Sequence, residues 1–379
     1  MGRAMKFGIF HELSVGKPWT PESESTVYHN ALDQVALADE LGFDQSWAVE
    51  HHFLEEYSHC SAPEVFLAAA AARTKRIRLG HGVMMVMPAF NHPIRCAERA
   101  AALDIISKGR LEFGTGRSAT WTELGGFRCE PDDTKEMWDE AVRAIPKMWT
   151  QETFSMQGKY FSMPERPVIP KPYQKPHPPI WVAVSSPETA IQAAERGIGC
   201  LGVSIGTPGE FQKRVQDYKR IVKGCEPIGE FVNEQVNGVT FLYVDETDEE
   251  AQVWGTKLAY QFSYLATHLI GISSVYPSRA YKTPGLLFAL RSGRDEKAPG
   301  GGGVIREGMG IGSPQTVIKN LKMWEEIGVD RMVFIINTAE TIPQEKVLNS
   351  LRLFAEHVMP ALDRDTSVTP VPESAPARP

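Results

Sequence analysis

Short apolar runs alternate with longer amphipathic stretches along nearly the whole chain. The runs fall at residues 5–10, 43–49, 77–85, 110–115, 180–184, 199–203, 235–244 and 330–336, and each has the length of a buried strand. Between them, residues 27–41, 62–72, 92–106, 134–149, 189–196, 208–223, 248–270, 313–327 and 344–358 carry helical periodicity. Several of these helices close on a stop signal, as residues 27–41 do at Gly42. Strictly alternating strands and helices imply a parallel sheet, and eight such units favour a closed TM-type (β/α)8 arrangement, the TIM barrel of the α/β class. No G-x-G-x-x-G follows the first strand, which counts against an open dinucleotide-binding sheet.

Three stretches break the alternation. Residues 151–179 hold seven prolines from Pro164 to Pro179 and read as an irregular surface excursion. Residues 271–310 contain Pro299-Gly300-Gly301-Gly302-Gly303 and are too long for a connector, so a mobile lid is expected there. Residues 364–379 are Pro/Ala-rich and are expected to be a disordered tail. Residues 1–363 are therefore expected to form one domain.

Composition narrows the partners. A hydrophobic content of 42% over 379 residues supports one large core, and a net charge of −7 without a Lys/Arg cluster excludes a nucleic-acid surface. The five cysteines are scattered with no CxxC pair, which favours a reducing compartment over a disulfide framework or a zinc site. With no signal-peptide core and no run able to span a bilayer, a cytoplasmic protein without membrane contact is expected.

In a barrel the strand C-termini share one face, so His11, His51, His52, His81, Arg117, Ser185, Ser186 and Thr189 become neighbours. Adjacent residues at a strand exit point to opposite sides, so at most one of His51 and His52 faces a pocket centre; capping of the strand end is the plainer alternative. Ser185-Ser186-Pro187-Glu188-Thr189 offers hydroxyls and helix N-terminal N–H groups to a phosphate, or simply caps a helix. Arg117 could bind the same anion or form a surface ion pair. Gly80 and Gly82 let something flat approach the third strand, beside Met84 and Met85, which also suit plain core packing. Together these features describe a pocket for a phosphorylated aromatic cofactor with imidazoles nearby. No metal site is assigned, because neither HxH spacing nor a second carboxylate accompanies the histidines.

Across residues 5–363 the chain resembles the bacterial luciferase-like flavin monooxygenases. The matching segments come in order: Met5-Lys6-Phe7-Gly8-Ile9-Phe10, Glu50-His51-His52-Phe53, Asn91-His92-Pro93-Ile94-Arg95, and Leu103-Asp104-Ile105-Ile106-Ser107-Lys108-Gly109-Arg110-Leu111-Glu112-Phe113-Gly114. Ile180-Trp181-Val182-Ala183, Gly312-Ser313-Pro314-Gln315 and Val358-Met359-Pro360-Ala361-Leu362 complete the set. The resemblance implies reduced FMN from a separate flavin reductase, reaction with O2 to a C4a-(hydro)peroxyflavin, and oxygenation of a small apolar organic substrate. It assigns the catalytic role to His51. It places the flavin at a third-strand bulge, Gly82, Val83 and Met84, often with a non-proline cis peptide, and near Glu50. The phosphate falls to Arg117, Lys135, Ser185, Ser186 and Thr189. Pocket-lining candidates are His11, His52, Trp121, Phe127, Tyr264, His268 and Tyr276, and a homodimer is implied.

There are departures. Gly116 stands where the luciferases carry a reactive cysteine, Ser185-Ser186 where they carry Glu-Ser, and the turn through Pro88 to Pro93 is longer. These set light emission and a long-chain aldehyde substrate apart from the expectation. The same barrel also hosts F420-dependent hydride-transfer enzymes and non-catalytic flavin-binding proteins, which stand as alternatives.

Overall fold

The computed structural model describes residues 5–118, 120–203, 206–271 and 305–362. Eight parallel strands close a barrel: β1 (Lys6–His11), β2 (Gln45–Ala48), β3 (Arg78–His81), β5 (Leu111–Gly116), β8 (Ile180–Val184), β9 (Gly199–Val203), β10 (Val236–Val244) and β12 (Arg331–Ile335). Closure runs through Lys6 paired with Arg331 on one side of β12 and Asn237 paired with Arg331 on the other. Helices α1 (Ser23–Leu41), α2 (Pro63–Arg73), α3 (Pro93–Ile106), α5 (Thr134–Thr150), α6 (Pro187–Glu195), α7 (Pro208–Ile221), α9 (Pro314–Glu326) and α10 (Gln344–Leu353) follow the strands. The TIM barrel expected from the alternation is the fold.

Inside the barrel, Trp47 and Trp181 meet edge to face at 5.7 Å, both fully buried. Their rings fit because the facing strands carry glycine. A Cβ on Gly80 would lie 2.2 Å from the Trp47 ring, and one on Gly199 would lie 2.4 Å from the Trp181 ring. What approaches Gly80 is thus the protein's own tryptophan. The indole N–H of Trp47 donates to Gln45 Oε1 (2.7 Å) and that of Trp181 to Glu112 Oε2 (2.6 Å), so neither buried dipole is left unpaired. Gly114 is tighter still, since a Cβ there would sit 1.8 Å from the backbone oxygen of His81. Backbone cannot swing aside as a side chain can, so Gly114→Ala should cost about 3 kcal/mol, the upper end of overpacking penalties, read as a lower urea midpoint at unchanged slope.

The third strand carries the bulge that the resemblance implied: β3 stops at His81, a cis peptide joins Gly82 to Val83, and β4 (Met84–Met85) resumes the pairing with β5. Two details differ from the sequence reading. The stretch 151–179 is not wholly irregular, because β6 (Phe154–Gln157) and β7 (Ser162–Arg166) form an antiparallel hairpin within it. A short helix, α4 (Trp121–Gly126), was not anticipated. Helix α8 (Asp248–Leu265) runs into a π-turn at Ala266–Gly271, and β11 (Gly310–Gly312) pairs with β10. The expected lid lies outside the described residues apart from Gly271 and residues 305–310, and the expected tail, 364–379, lies outside them entirely. Among the described residues no helix is long and apolar enough to cross a membrane.

Candidate active site

Strand parity decides which side chains reach the barrel mouth. Along β1, Phe7 packs outward on Phe354 while Phe10 lies against Gly82 inside. His11 follows Phe7 outward: it bonds Gln34 of α1 (3.1 Å), leans on Phe66 of α2, and burial lowers its pKa to about 4. His11 therefore does not line the mouth as the sequence suggested. Its neighbour Glu12 does, by the parity of Phe10. His51 continues the inward parity of Trp47.

His51 Nδ1 lies 2.9 Å from Glu123 Oε1 on α4. Glu123 is completely buried and heavily held. Its Oε1 also accepts the His52 backbone N–H (3.0 Å), and its Oε2 accepts the hydroxyls of Ser118 (2.6 Å) and Thr120 (3.1 Å). Burial alone would raise this carboxyl, but His51 and those donors hold it below its ordinary value. On the other ring edge, His51 Nε2 stands 3.9 Å from Glu12 Oε2. Burial alone would depress the imidazole; Glu123, Glu12 and Glu50 outweigh it and push the pKa up to about 9. Glu12 itself is pushed up to about 7 by burial, against the pull of His51 and the Tyr57 hydroxyl.

His52 points the other way. Its Nε2 lies 3.1 Å from Glu50 Oε1, and its ring sits among Phe53, Phe90 and Phe127, 4.8 Å from the last. Glu50 accepts from Met85 N (2.8 Å) and Asn91 Nδ2 (2.7 Å), so it fastens the chain just beyond the Gly82–Val83 bulge. Met84 is fully buried in the core, whereas Val83 faces a large groove.

That groove, about 1030 Å³, gathers the residues assigned to a phosphate: Arg117, Lys135, Ser185, Ser186 and Thr189, with Val83, Gly116 and Ser118 at its barrel end. Ser186 does cap α6, accepting the Thr189 N–H at 3.3 Å, and it lines the groove as well. Arg117 donates to Thr134 Oγ1 at 3.0 Å. Gly116 is required by its neighbour, because a Cβ there would lie 2.3 Å from Val83 Cγ2. Ser118 belongs to both regions, lining the groove and bonding the carboxylate that holds His51.

The other candidates, where described, lie on α4 and at the end of α8. Trp121 begins α4, 48% exposed, with its ring over Gly125. Tyr264, 41% exposed, meets His268 in a tilted ring contact at 4.1 Å across the junction of α8 and its π-turn, whereas Phe262 on the buried face of that helix reaches Tyr57. Tyr276 lies outside the described residues. The sequence reading missed Glu12, Ser118 and Glu123. The Thr120-x-x-Glu123 spacing was the available signal for the last, and it reads as an ordinary helix cap.

The ion-paired imidazole and the hydroxyl- and cation-bearing groove near it do not by themselves define a reaction, and comparison with known proteins gives the barrel a family. The chain belongs to the luciferase-like monooxygenases, whose family model matches residues 5–331. It is 26% identical over 363 residues to the oxygenase component of a flavin-dependent trigonelline monooxygenase from Acinetobacter baylyi, covering 94% of this chain and 95% of that one. It is 33% identical over 225 residues to an uncharacterised Sinorhizobium fredii protein, and spans only 61% of that protein's length, 58% of its own. The crystal structure of the monooxygenase RslO1 from Streptomyces bottropensis matches with a TM-score of 0.75 at 29% identity, over 94% of this chain and 99% of that one. Two more distant barrels share the fold alone. One is the FMN-bound oxygenating component of a Pseudomonas putida diketocamphane monooxygenase (19% identity, TM-score 0.75, 94% and 98% covered). The other is an F420-dependent reductase from Methanopyrus kandleri (20%, 0.69, 96% and 100%).

Proposed function

We propose that this chain is the oxygenase component of a two-component flavin monooxygenase, taking reduced FMN from a separate reductase and using O2 on a small apolar organic substrate. The observation that carries the reading is Ser118, which joins the phosphate groove to the Glu123–His51 pair. The groove suits FMN at both ends. Arg117 and Lys135 with the hydroxyls of Ser185, Ser186 and Thr189 match a phosphate, and Val83 beside the side-chain-free Gly116 leaves an apolar wall for a ring system. Reduced flavin, when bound, supplies the electrons that activate O2 for insertion of one oxygen atom.

The protein's own part is to hold and move protons. Glu123 fixes the His51 ring and keeps it cationic, so Nε2–H is a donor toward the mouth through neutral pH. Glu50 and Asn91 hold the bulge that carries Val83 in place. The rings of Phe53, Phe90 and Phe127 around His52 support an apolar substrate. Val65, Ile105 and Ile106, exposed on α2 and α3, support a homodimer built on that side of the barrel.

Anaerobic titration with FMNH2 and with reduced F420, followed by admission of air, tests the reading. Saturable FMNH2 binding and a transient absorption band that needs O2 are expected. Binding of F420 alone, with no oxygen-dependent signal, would make this a hydride-transfer enzyme instead.

A further inference from the structure

Glu12 is not among the residues that line the phosphate groove, and one of its carboxylate oxygens is buried without a partner. It follows β1 directly and is 6% exposed. Its Oε1 accepts the Tyr57 hydroxyl at 3.1 Å, while its Oε2 is buried with no hydrogen-bond partner. An isolated buried carboxylate oxygen is costly to leave unsatisfied. That oxygen is the atom 3.9 Å from His51 Nε2. The separation is too long for a direct hydrogen bond, but a single oxygen atom seated beside the gap can reach both at normal distance. Nδ1 of the same ring is occupied by Glu123, so Nε2 is the nitrogen left to serve the mouth, and the His51 side chain keeps 17% exposure there.

We propose that Glu12 is the acid–base partner of His51, the two sharing a proton through one hydroxyl-bearing ligand, a water at rest or a reactant hydroxyl during turnover. This deepens the monooxygenase reading and uses the same site. In the exchange, the His51 Nε2–H bond breaks and its proton passes to the bridging oxygen. The bridging O–H releases its own proton to Glu12 Oε2. The imidazolium becomes imidazole, the carboxylate becomes a carboxylic acid, and the bridging ligand keeps its proton count. Glu123 stays ionised throughout and positions the ring. The carboxyl is suited to this, since burial keeps it exchanging protons near neutrality. The other ionisable groups acting on the pair are Glu50 behind His51, with Tyr57 and Cys60 from the loop after β2.

The test uses the flavin-free protein. Nitrogen-15 histidine NMR follows the His51 ring and infrared difference spectroscopy follows protonated carboxyl groups, both against pH. In the wild type the ring should respond in two steps, and a carboxyl band should fade near neutrality. Glu12→Gln should remove that band and lower the upper His51 midpoint by about one pH unit, because an opposite charge is lost. Glu12→Asp should restore both signals in part. Tyr57→Phe, a milder change, should move the carboxyl midpoint upward by removing a donor to the ionised form, so the proposal stays testable even if Glu12→Gln folds poorly. A His51 titration unchanged by Glu12→Gln, with the carboxyl band still present, overturns the proposal, as does a carboxyl midpoint unmoved by Tyr57→Phe. Because no flavin is used, that failure leaves the FMN reading standing, and a failed FMNH2 titration leaves the pair standing.

Discussion

His51→Ala should lower oxygen-coupled turnover by about 10²–10⁴-fold, the usual contribution of a positioned acid–base group, while FMNH2 affinity stays within about twofold. The asymmetry follows from placement. The ring lies at the barrel mouth, held by Glu123, whereas the groove residues Arg117, Lys135, Ser186 and Thr189 do not depend on it. Removing the imidazole also leaves Glu123 buried with the hydroxyls and one backbone N–H as its partners, so some stability is lost. His51→Gln controls for this, because its amide can donate to Glu123 but does not titrate near neutral pH and so cannot act as an acid or base. Loss of turnover in both variants, with unfolding midpoints near wild type in the second, assigns the loss to chemistry. His52→Ala should cost far less, since its ring pairs with Glu50 and packs among phenylalanines away from Glu12. If His51→Ala kept near-normal turnover and His52→Ala did not, the roles would be reversed.

How far the sequence could go is visible in the neighbours of these two histidines. The barrel followed from eight apolar runs, because buried parallel strands are apolar on both faces and their spacing leaves room for one helix each. That only one of His51 and His52 could face the centre also followed from strand parity. The same rule applied to β1 would have chosen Glu12 over His11, but a two-residue strand exit gives no sign of which parity faces inward until Phe7 and Phe10 are placed. Glu123 was hidden for another reason: its spacing from Thr120 is that of a helix cap, and it does cap, since Thr120 Oγ1 accepts the Glu123 N–H at 3.1 Å. Its bond to His51 spans 72 positions, which no local pattern records. Gly80 misled in the opposite direction. The need for a bare backbone was legible, but the ring that uses it is Trp47.

Glu123→Ala should be the most destabilising single change at the site, at about 3–5 kcal/mol, because it strands the partly buried His51 without its main counter-charge and removes the carboxylate to which the Ser118 and Thr120 hydroxyls donate. The pH dependence of that loss identifies its origin. Glu123 is held below its ordinary 4.5, so its contribution is present above that value and is lost as pH falls through the lower folded one. His51 is raised from 6.5 to about 9, so its contribution is complete below 6.5 and disappears as pH rises through about 9. Both hold together between about 4.5 and 6.5, where the gap between wild type and Glu123→Ala should be widest. Glu12 has the slope of His51 and the reverse of Glu123: raised from 4.5 to about 7, it makes the wild type less stable as pH climbs through that range. Urea midpoints for both proteins near pH 5.5, 7.5 and 9.5 should therefore converge toward the alkaline end. A gap of constant size across those values would show that Glu123 acts through packing and capping alone, and the ion pair with His51 would lose its place in the account of the site.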